Sequence, residues 1–419
     1  MPSRRCAPGR YVLWWGALSI ALGTAHRADP GRPGRRPPAG RHRPRRPRPA
    51  HPGTARRRHR HRRPGPPDPR PCRPAGTGWT SDAGLPAGGT YTARLALEET
   101  GGQGTRRRVV VRLAVRTPRA PAGERLTAAF GPDGDRARTY GVGQPVTAEL
   151  GHPVPAIDPA ARRVVEQGLE VRGEPRAEGA WHWVDAGSLH YRPRAYWPAR
   201  ATVRVRSALE GVRVTEGLYG GRSRPLAFST GARVEAVTDV AAHELRVHRD
   251  GRLLRVVPVT TGKRGFRTRV GTKVVLGKEP VVRMRGDSIG IARGSREFFD
   301  LKVRWATRVT WSGEYPHAAP SSLDAQGSAD VSHGCTGMSA EAARWFLRTV
   351  REGDLVRVVH GYGEPMTPFG NGYGYGEPMT PFGNGYGDWN LDWPQWLRGS
   401  ALGRGTGRAA PGSPLRPVL

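Results

Sequence analysis

Short runs of alternating apolar and polar residues, separated by clusters of Gly, Pro and Asp, recur along most of this chain after residue 76. Such alternation is the pattern of strands that bury one face. Between residues 122 and 231 the runs are short and closely spaced, which is typical of an immunoglobulin-like β-sandwich. These runs are Leu169–Arg172, Trp181–Val184, Leu189–Tyr191, Thr202–Arg206 and Leu226–Ser229. The sequence therefore predicts a mainly β protein, with an immunoglobulin-like domain at 122–231, here called the sandwich domain.

Five aromatic residues fall within or between these runs and have two interpretations. They are Trp181, Trp183, Tyr191, Tyr196 and Trp197. Aromatic rings of this kind can form a platform for carbohydrate. Packing in the core is the commoner fate of aromatic side chains in strands, and it is the expectation adopted here.

A shorter β region precedes the sandwich domain. Tyr91–Leu97 and Arg108–Val115 alternate apolar and polar residues as half-buried strands do. Residues 76–118 are too few for a complete sandwich. We expect a partial immunoglobulin-like β domain there.

Residues 232–360 form a third region, here called the thiol domain because it carries Cys335. Asp250-Gly251 lies between two strand-like runs, and this dipeptide favours a type I′ hairpin. One helix is predicted after Cys335, with Ser339 as N-cap and Gly353 at its end. The predicted strands are Leu245–Val247, Leu253–Val259, Thr272–Leu276, Val281–Met284 and Leu355–Val359.

The region 361–419 contains a duplicated Gly-rich loop and a Trp-rich tail. Tyr362–Gly374 and Tyr375–Gly387 both read YGEPMTPFGNGYG. Two copies are too few for a solenoid. Trp389, Trp393 and Trp396 follow at helical spacing, and we expect them to pack as one apolar face on the thiol domain.

The N-terminus has the pattern of an export signal. Arg4, Arg5 and Arg10 precede Tyr11–Leu22, a mostly apolar run of 12 residues. This run is shorter than the ~20 residues of a membrane span and suits a signal peptide. Residues 1–25 are therefore expected to be a signal peptide or an N-terminal anchor, and the protein to be exported to the cell envelope or beyond.

Residues 26–75 are dominated by Arg, Pro, His and Gly. Arg27–Arg73 contains 17 Arg against two acidic residues, within a chain of formal net charge +33. With almost no apolar surface to bury, this segment is predicted to be disordered, unless it is a frame-shifted stretch. The charge suits anionic wall polymers or a membrane surface. Nucleic acid is not predicted as a partner, because no recognition motif accompanies the charge.

Cys335 is the one cysteine in the predicted globular region, and histidines surround it. A thiol attacks carbonyls as a thiolate, and a nearby imidazolium or helix N-terminus lowers its pKa. His317 is the candidate base, and the N–H groups of Gly334 and Cys335 are candidates for an oxyanion hole. The structural alternatives are a core thiol and an ordinary satisfied histidine. A zinc site is not predicted, because spacing of the zinc-finger type is absent.

The spacing of these residues resembles a known family signature. His317, 14 further residues and then Ser332-His333-Gly334-Cys335 resemble the signature of L,D-transpeptidases with a YkuD-type catalytic domain. Members from Gram-positive walls carry immunoglobulin-like domains before the catalytic one. The resemblance covers residues 122–398 and implies that 232–360 is the catalytic domain.

The resemblance implies a role for each matched position. Cys335 is the acylated nucleophile and His317 its base, oriented by the carbonyl of Ala318. Gly334 and Cys335 form the oxyanion hole, while Ser332 and His333 shape the site. The implied substrate-binding residues are Ile289, Phe299, Trp311 and Ser312.

Two features depart from the family pattern. Gly337 stands where the stricter motif prefers Asn, and Ile289 and Phe299 stand where related enzymes often have tyrosines. These departures concern substrate detail and leave the nucleophile unchanged.

The implied reaction is acyl transfer between peptidoglycan stem peptides. A donor tetrapeptide stem acylates Cys335 and loses D-Ala, and an acceptor stem then forms a 3→3 cross-link. An L,D-carboxypeptidase and a non-catalytic wall-binding protein are the alternatives. No cofactor or metal is implied, and carbapenems are expected to acylate the same thiol.

Overall fold

The computed structural model describes residues 19–21, 78–80, 84–100, 106–132, 138–366, 373–374, 377–378 and 384–403. The chain divides into two compact units, residues 1–81 and residues 82–419. In the first unit, β1 (Ser19–Ala21) pairs antiparallel with β2 (Gly78–Thr80). The rest of the predicted export segment and the whole of the basic tract lie outside the described residues, so both remain predictions. No helix in the described part of the chain is long and apolar enough to cross a bilayer.

The second unit begins with a hairpin. Strands β3 (Thr90–Thr100) and β4 (Arg106–Arg116) pair antiparallel along 11 residues each. Both predicted runs of this region are therefore strands, and each is longer than the sequence indicated. At the base of the hairpin, the N–H of Ala87 donates to Gly211 O of the sandwich domain at 2.9 Å.

The sandwich domain contains two four-stranded sheets and a two-stranded one. Its strands are β5 (Arg125–Leu126), β6 (Ala128–Gly131), β7 (Thr139–Tyr140), β8 (Val146–Leu150), β9 (Leu169–Glu174), β10 (Gly179–Trp183), β11 (Ser188–Pro193), β12 (Thr202–Ser207), β13 (Tyr219–Gly220) and β14 (Leu226–Thr230). The sheet orders are β10-β11-β8-β6, β7-β14-β12-β9 and β13-β5. All five predicted runs are strands, with bounds that differ by one or two residues.

The predicted aromatic cluster forms the core of the sandwich domain. Trp181, Trp183, Tyr191 and Trp197 are each less than 10% exposed. Buried indole N–H groups need acceptors, and here Trp181 donates to Leu169 O at 2.9 Å. The core interpretation is thus confirmed for these four residues and the carbohydrate platform is wrong. Tyr196 is partly buried against the Trp389 ring, with 4.6 Å between the ring centroids.

One helix of the sandwich domain was not predicted from the sequence. Helix α1 (Pro159–Gly168) begins where the Asp158 side chain accepts from Ala161 N, and it buries Val165. Its apolar face contains so few residues that a helical period is not visible against the strand pattern around it.

The thiol domain contains nine strands, five of which form a mixed sheet. Its strands are β15 (Val234–Asp239), β16 (Glu244–Arg249), β17 (Arg252–Pro258), β18 (Gly271–Val274), β19 (Gly277–Arg285), β20 (Asp300–Arg308), β21 (Pro316–Ala318), β22 (Thr336–Met338) and β23 (Leu355–Val359). The main sheet has the order β17-β16-β15-β23-β18, with β15 and β23 parallel. Strands β19 and β20 form a separate hairpin. Asp250 and Gly251 both have positive φ, as the predicted type I′ turn requires.

Helix α2 (Ala340–Thr349) follows β22. The Ser339 side chain accepts from Ala342 N, which confirms the predicted N-cap. Ala342, Ala343 and Phe346 are buried in the core of the thiol domain. The helix ends at Thr349 rather than near Gly353, because Val350 already has extended backbone angles.

The Trp-rich tail packs on the sandwich domain, so the expectation that it packs on the thiol domain was wrong. Trp396, in helix α3 (Trp393–Arg398), is fully buried and donates to Ala180 O at 2.9 Å. Trp389 donates to Gly143 O at 2.8 Å. The sandwich supplies the buried acceptors that indole groups need. Asn390, between these two tryptophans, hydrogen bonds instead to the thiol domain, at the backbone of Thr272. Two short strands precede this tail, β24 (Tyr373–Gly374) and β25 (Glu377–Pro378).

Candidate active site

Strands β21 and β22 bring the predicted nucleophile and base together. They pair in parallel, with His317 opposite Gly337, and Thr336 N donates to Tyr315 O at 2.9 Å. Cys335 therefore lies immediately before one strand of the pair and His317 in the middle of the other. Both residues are only partly buried, so a ligand can approach them.

His317 is held in one tautomer by its neighbour. Its Nδ1 lies 2.8 Å from Ala318 O, and because a carbonyl only accepts, Nδ1 carries the proton. Nε2 is then the basic nitrogen. Burial lowers the pKa of His317, so the ring is neutral near pH 7 and able to accept a proton.

The surroundings of Cys335 favour the neutral thiol over the thiolate. Burial raises its pKa to about 12. Helix α2 does not offset this effect, because strand β22 separates the helix N-terminus from Cys335. The thiol instead donates to Gly313 O, with 3.5 Å between Sγ and O. If this thiol acts as a nucleophile, its proton has to leave during the attack, and a neutral His317 is suited to accept it.

The loop Ser332–Cys335 is here called the catalytic loop. Its main-chain amides differ in whether they already have an acceptor. Gly334 has φ +113°, a left-handed conformation that glycine adopts readily. Its N–H donates to Ser332 Oγ at 3.1 Å, and that hydroxyl donates to Cys335 O at 2.6 Å. The N–H of Cys335 has no acceptor in the described part of the chain. Of the two predicted oxyanion donors, the N–H of Cys335 is therefore the one left for a ligand.

Thr268 supports this loop and was not singled out from the sequence. Its hydroxyl donates to Gly334 O at 2.9 Å and accepts from Gly262 N at 2.9 Å. A buried threonine bonded at both ends fixes the loop backbone. No local pattern distinguishes it from the other threonines of the sequence.

His333 lines the site and is fixed by residues from other segments. Its Nε2 lies 2.8 Å from Glu297 Oε2, which also accepts from Lys263. The imidazole is flanked by Phe266 and Phe299, with ring centroids 4.7 and 4.9 Å away. Phe299 therefore packs beside His333, and its implied role in substrate binding remains a prediction. The contacts of Glu297 and Phe266 with His333 were not predicted from the sequence.

The other three implied substrate residues lie on two segments. Ile289 ends a 3₁₀ turn, Gly286–Ile289, that follows strand β19. Trp311 is 41% exposed. Ser312 accepts from Arg269 Nη1 at 3.2 Å. Trp311 and Ser312 directly precede Gly313, whose carbonyl accepts the thiol, so this pair borders the nucleophile.

A buried charged cluster lies behind this segment and was also missed. Lys273 and Glu314 form an ion pair in which both side chains are under 10% exposed, and Arg269 reaches the other carboxylate oxygen at 3.3 Å. Lys273 lies within a predicted strand of otherwise apolar character. A lysine in such a run is the one signal that could have drawn attention to it.

Gly337 has a steric reason for being glycine. A Cβ at this position would lie 2.9 Å from both Ala319 Cβ and Thr260 Cγ2. The backbone of Gly337 exchanges two hydrogen bonds with that of Thr260, at 2.8 and 2.9 Å. The asparagine that the stricter motif prefers would not fit without movement of this contact.

No group of three or more His, Cys, Asp or Glu side chains within the described ranges is arranged to hold a metal ion. One loop and one strand thus carry a candidate nucleophile in Cys335, a candidate base in His317 and a candidate oxyanion donor in the N–H of Cys335. This arrangement is that of a thiol acyltransferase or hydrolase.

Sequence comparisons agree with this chemistry. The bacterial Ig domain family matches residues 71–213, and the L,D-transpeptidase catalytic domain family matches residues 233–358. L,D-transpeptidase 2 of Mycobacterium tuberculosis is 29% identical over 328 residues, which cover 78% of this chain and 74% of that protein. L,D-transpeptidase 1 of the same organism is 35% identical over 220 residues, covering 52% of this chain and 80% of that protein.

Two solved structures are also similar. An L,D-transpeptidase in complex with imipenem is 32% identical, covers 56% of this chain and 99% of its own, and gives a TM-score of 0.47. L,D-transpeptidase 3 from M. tuberculosis with a faropenem-derived adduct is 31% identical, covers 55% and 97%, and gives a TM-score of 0.46.

Proposed function

The chain belongs to the L,D-transpeptidase family, and we propose that it forms 3→3 cross-links in peptidoglycan through a thioester on Cys335. The observation that carries this proposal is the parallel pairing of β21 with β22, which places His317 opposite Gly337, two residues after the partly accessible Cys335. The substrates are the stem peptides of the cell wall, one as donor and one as acceptor.

In the first half-reaction, Sγ attacks the carbonyl carbon of the third residue of a donor tetrapeptide. His317 Nε2 takes the thiol proton as the S–C bond forms. The carbonyl oxygen becomes an oxyanion and accepts the N–H of Cys335. When the tetrahedral intermediate collapses, the C–N bond to D-Ala breaks and His317 returns the proton to the leaving amine.

In the second half-reaction, the side-chain amine of an acceptor stem attacks the thioester. His317 now takes a proton from the amine, and Cys335 leaves and recovers it as a thiol. An amide between two third residues is formed. Water in place of the amine gives the L,D-carboxypeptidase reaction, in which the donor stem is only shortened.

Carbapenem acylation tests the nucleophile. Two relatives carry imipenem and a faropenem-derived adduct in their structures, and we expect imipenem to add once to the full-length chain by intact mass spectrometry. The adduct should be absent from Cys335→Ser. A folded wild-type protein that gains no mass would favour the alternative of a non-catalytic wall-binding protein.

Purified muropeptides test the reaction. Incubation with a disaccharide tetrapeptide should give a cross-linked dimer by mass spectrometry, with loss of one D-Ala per dimer. Cys335→Ser is the matched control and should give none. Quantitative release of D-Ala without dimer would establish the carboxypeptidase alternative instead.

We also propose that the protein acts outside the cytoplasmic membrane, where its substrate lies. The basic residues before Tyr11–Leu22 and the excess of Arg over acids in 26–75 support this proposal. Fractionation of expressing cells, with N-terminal sequencing of the mature protein, tests it. Recovery of the intact chain in the cytoplasm alone would contradict it.

A further inference from the structure

The two copies of the duplicated segment contact the thiol domain through different parts of the same sequence. Tyr362–Gly374 and Tyr375–Gly387 are identical, residue for residue. The beginning of the first copy, residues 363–366, and the end of the second copy, residues 384–386, both lie among the described residues. The proposed mechanism gives neither piece a role.

The first copy docks beside Thr268, the residue whose hydroxyl supports the catalytic loop. Val270 N donates to Glu364 O at 3.0 Å, and Met366 N donates to Val270 O at 2.7 Å. A Cβ on Gly363 would overlap Thr268 O, so this close approach requires glycine. The beginning of the first copy therefore braces the backbone on one side of the catalytic loop.

The second copy docks on the segment that accepts the thiol. Ser312 N donates to Asn384 Oδ1 at 2.7 Å, and the Asn384 side chain is only 3% exposed. The next residue, Gly313, has φ +101°, and its carbonyl accepts the Cys335 thiol. Asn384 therefore fixes the residue that directly precedes the acceptor of the thiol.

Chain connectivity explains which copy docks at which place. The first copy follows closely on strand β23 (Leu355–Val359), and the second copy ends directly before Asp388, which bonds to His190 of the sandwich domain at 2.7 Å. A short connection to a fixed neighbour costs less loop-closure entropy than a long one. Asn371 has the same position in the first copy, but the whole second copy separates it from Asp388. Docking of Asn384 is therefore favoured.

We propose that Asn384 is a positioning residue for acylation of Cys335, and that the two copies act as one split unit. The end of the second copy holds Ser312 and thereby Gly313, while the beginning of the first copy holds the backbone beside Thr268. Both segments bond to the catalytic loop, one through the thiol and the other through the threonine hydroxyl. The inference rests on the proposed function, because it takes Cys335 as the nucleophile.

The two asparagines provide a matched pair of variants in the full-length protein, because their neighbours in the sequence are the same. Asn384→Ala removes the acceptor of Ser312 N and should slow acylation at saturating imipenem about tenfold. The imipenem concentration that gives half the maximal rate should change less than about threefold, and Asn371→Ala should keep a saturating rate within about twofold of wild type.

Three results would overturn the proposal. A purely structural role would lower the melting temperature of Asn384→Ala and leave its saturating rate per folded molecule unchanged. Equal slowing in Asn384→Ala and Asn371→Ala would remove the distinction between the copies. Slowing in the double variant alone would show that either asparagine can dock.

Hydrogen exchange at Ser312 tests the docking without any reaction. A buried acceptor protects an amide from exchange, so the peptide that contains Ser312 should exchange faster in Asn384→Ala and at the wild-type rate in Asn371→Ala. Unchanged exchange in both variants would contradict the proposal. If Asn384→Ala does not fold, Asn384→Asp decides the matter. It keeps an accepting oxygen, so protection of Ser312 should be retained, and loss of protection would count against the assignment.

Deletion of residues 367–379 tests the split unit. It joins 362–366 to 380–387, which leaves one complete copy with both docking pieces still next to their fixed neighbours. Long surface insertions change loop-closure entropy only slightly, so acylation should stay within about threefold of wild type. Acylation more than about tenfold slower in folded protein would show that the two copies are not one split unit.

The outcomes separate this inference from the proposed function. Exchange at Ser312 reports on docking, imipenem acylation reports on Cys335, and dimer formation reports on transpeptidation. The expected differences in exchange and acylation without any cross-linking would keep this inference and remove the proposed function. Cross-linking by wild type together with equal acylation in the two asparagine variants would do the opposite.

Discussion

The sandwich domain and the thiol domain both bury polar groups, but the partners of those groups differ. In the sandwich, His190 bonds to Asp388 at 2.7 Å and His182 to Trp396 O at 2.8 Å, so the partners belong to the C-terminal tail. In the thiol domain, Lys273 and Glu314 pair within the domain, next to the nucleophile.

This difference indicates that the buried polar groups of the sandwich serve stability, whereas those of the thiol domain lie close to the candidate active site. A buried polar group needs a hydrogen-bond partner wherever it lies. In the sandwich, the partners of His190 and His182 belong to the C-terminal tail, so these bonds attach the tail to the domain. In the thiol domain the same need is met by an ion pair between two residues of that domain, Lys273 and Glu314. Variants on the sandwich side should therefore change stability with activity per folded molecule preserved, whereas a variant at the partly buried His317 should change activity with stability preserved.

The largest effect is expected for the base. His317→Gln removes the proton acceptor, and general-base catalysis is worth about 10²- to 10⁴-fold in rate, so imipenem acylation should slow by about a thousandfold. Thermal melting should change little, because His317 is only partly buried. Acylation within tenfold of wild type would mean that another group takes the proton.

Trp396→Ala should have the largest effect on stability. The side chain is fully buried and packs on His182, with 4.7 Å between the ring centroids. Its loss should cost about 3–5 kcal/mol of unfolding free energy, measured by urea denaturation. The imipenem acylation rate per folded molecule should stay within twofold of wild type. A large loss of that rate would show that the two domains are coupled in function.

Asp354 offers a test at the boundary between the domains. Burial raises its pKa to about 7, so the folded state binds this proton more tightly than the unfolded state. Its contribution to stability is therefore fully present below about pH 4 and falls as the pH rises to about 7.

Asp354→Asn cannot titrate, yet it keeps an oxygen that can accept from Arg351 N, as Asp354 does. Relative to wild type, the variant should gain about 2–4 kcal/mol between pH 4 and pH 8 in urea denaturation. A constant difference across this range would show that the carboxyl group is solvated in solution.

The smallest effect is expected for Gly337→Ala. The added methyl group would lie 2.9 Å from Ala319 Cβ and Thr260 Cγ2, and overpacking of this kind costs about 1–3 kcal/mol. The melting temperature should fall by several degrees. Alkylation of Cys335 at pH 8 should also change, because Gly337 pairs with His317. An unchanged melting temperature would show that the strand pair has room to relax.

The strands could be predicted from the sequence because their alternation is local. Leu355–Val359 has the predicted bounds, and the turn at Asp250-Gly251 follows from two residues. Helix α1 was missed because its apolar face is too short to show a period. The tail was assigned to the wrong domain because the position of its acceptors, such as Ala180 O, depends on the tertiary fold.

The residues of the candidate site likewise include some that a local motif predicts and others that only the fold brings together. Cys335 and His317 were identified because their spacing matches a family signature. Glu314 and Lys273 are 41 positions apart in the sequence, and neither belongs to a motif. The effect of burial on the pKa of the Cys335 thiol could not be predicted either, because burial is defined only by the folded structure.

The course of the tail constrains how the sandwich and thiol domains can move. The polypeptide passes from the sandwich to the thiol domain near residue 231, and it returns when Trp389 and Trp396 bind the sandwich. The chain therefore connects the two domains at two places, so the thiol domain cannot rotate relative to the sandwich about a single hinge. Any contact that fixed the orientation of the sandwich would therefore also fix the direction in which Cys335 faces.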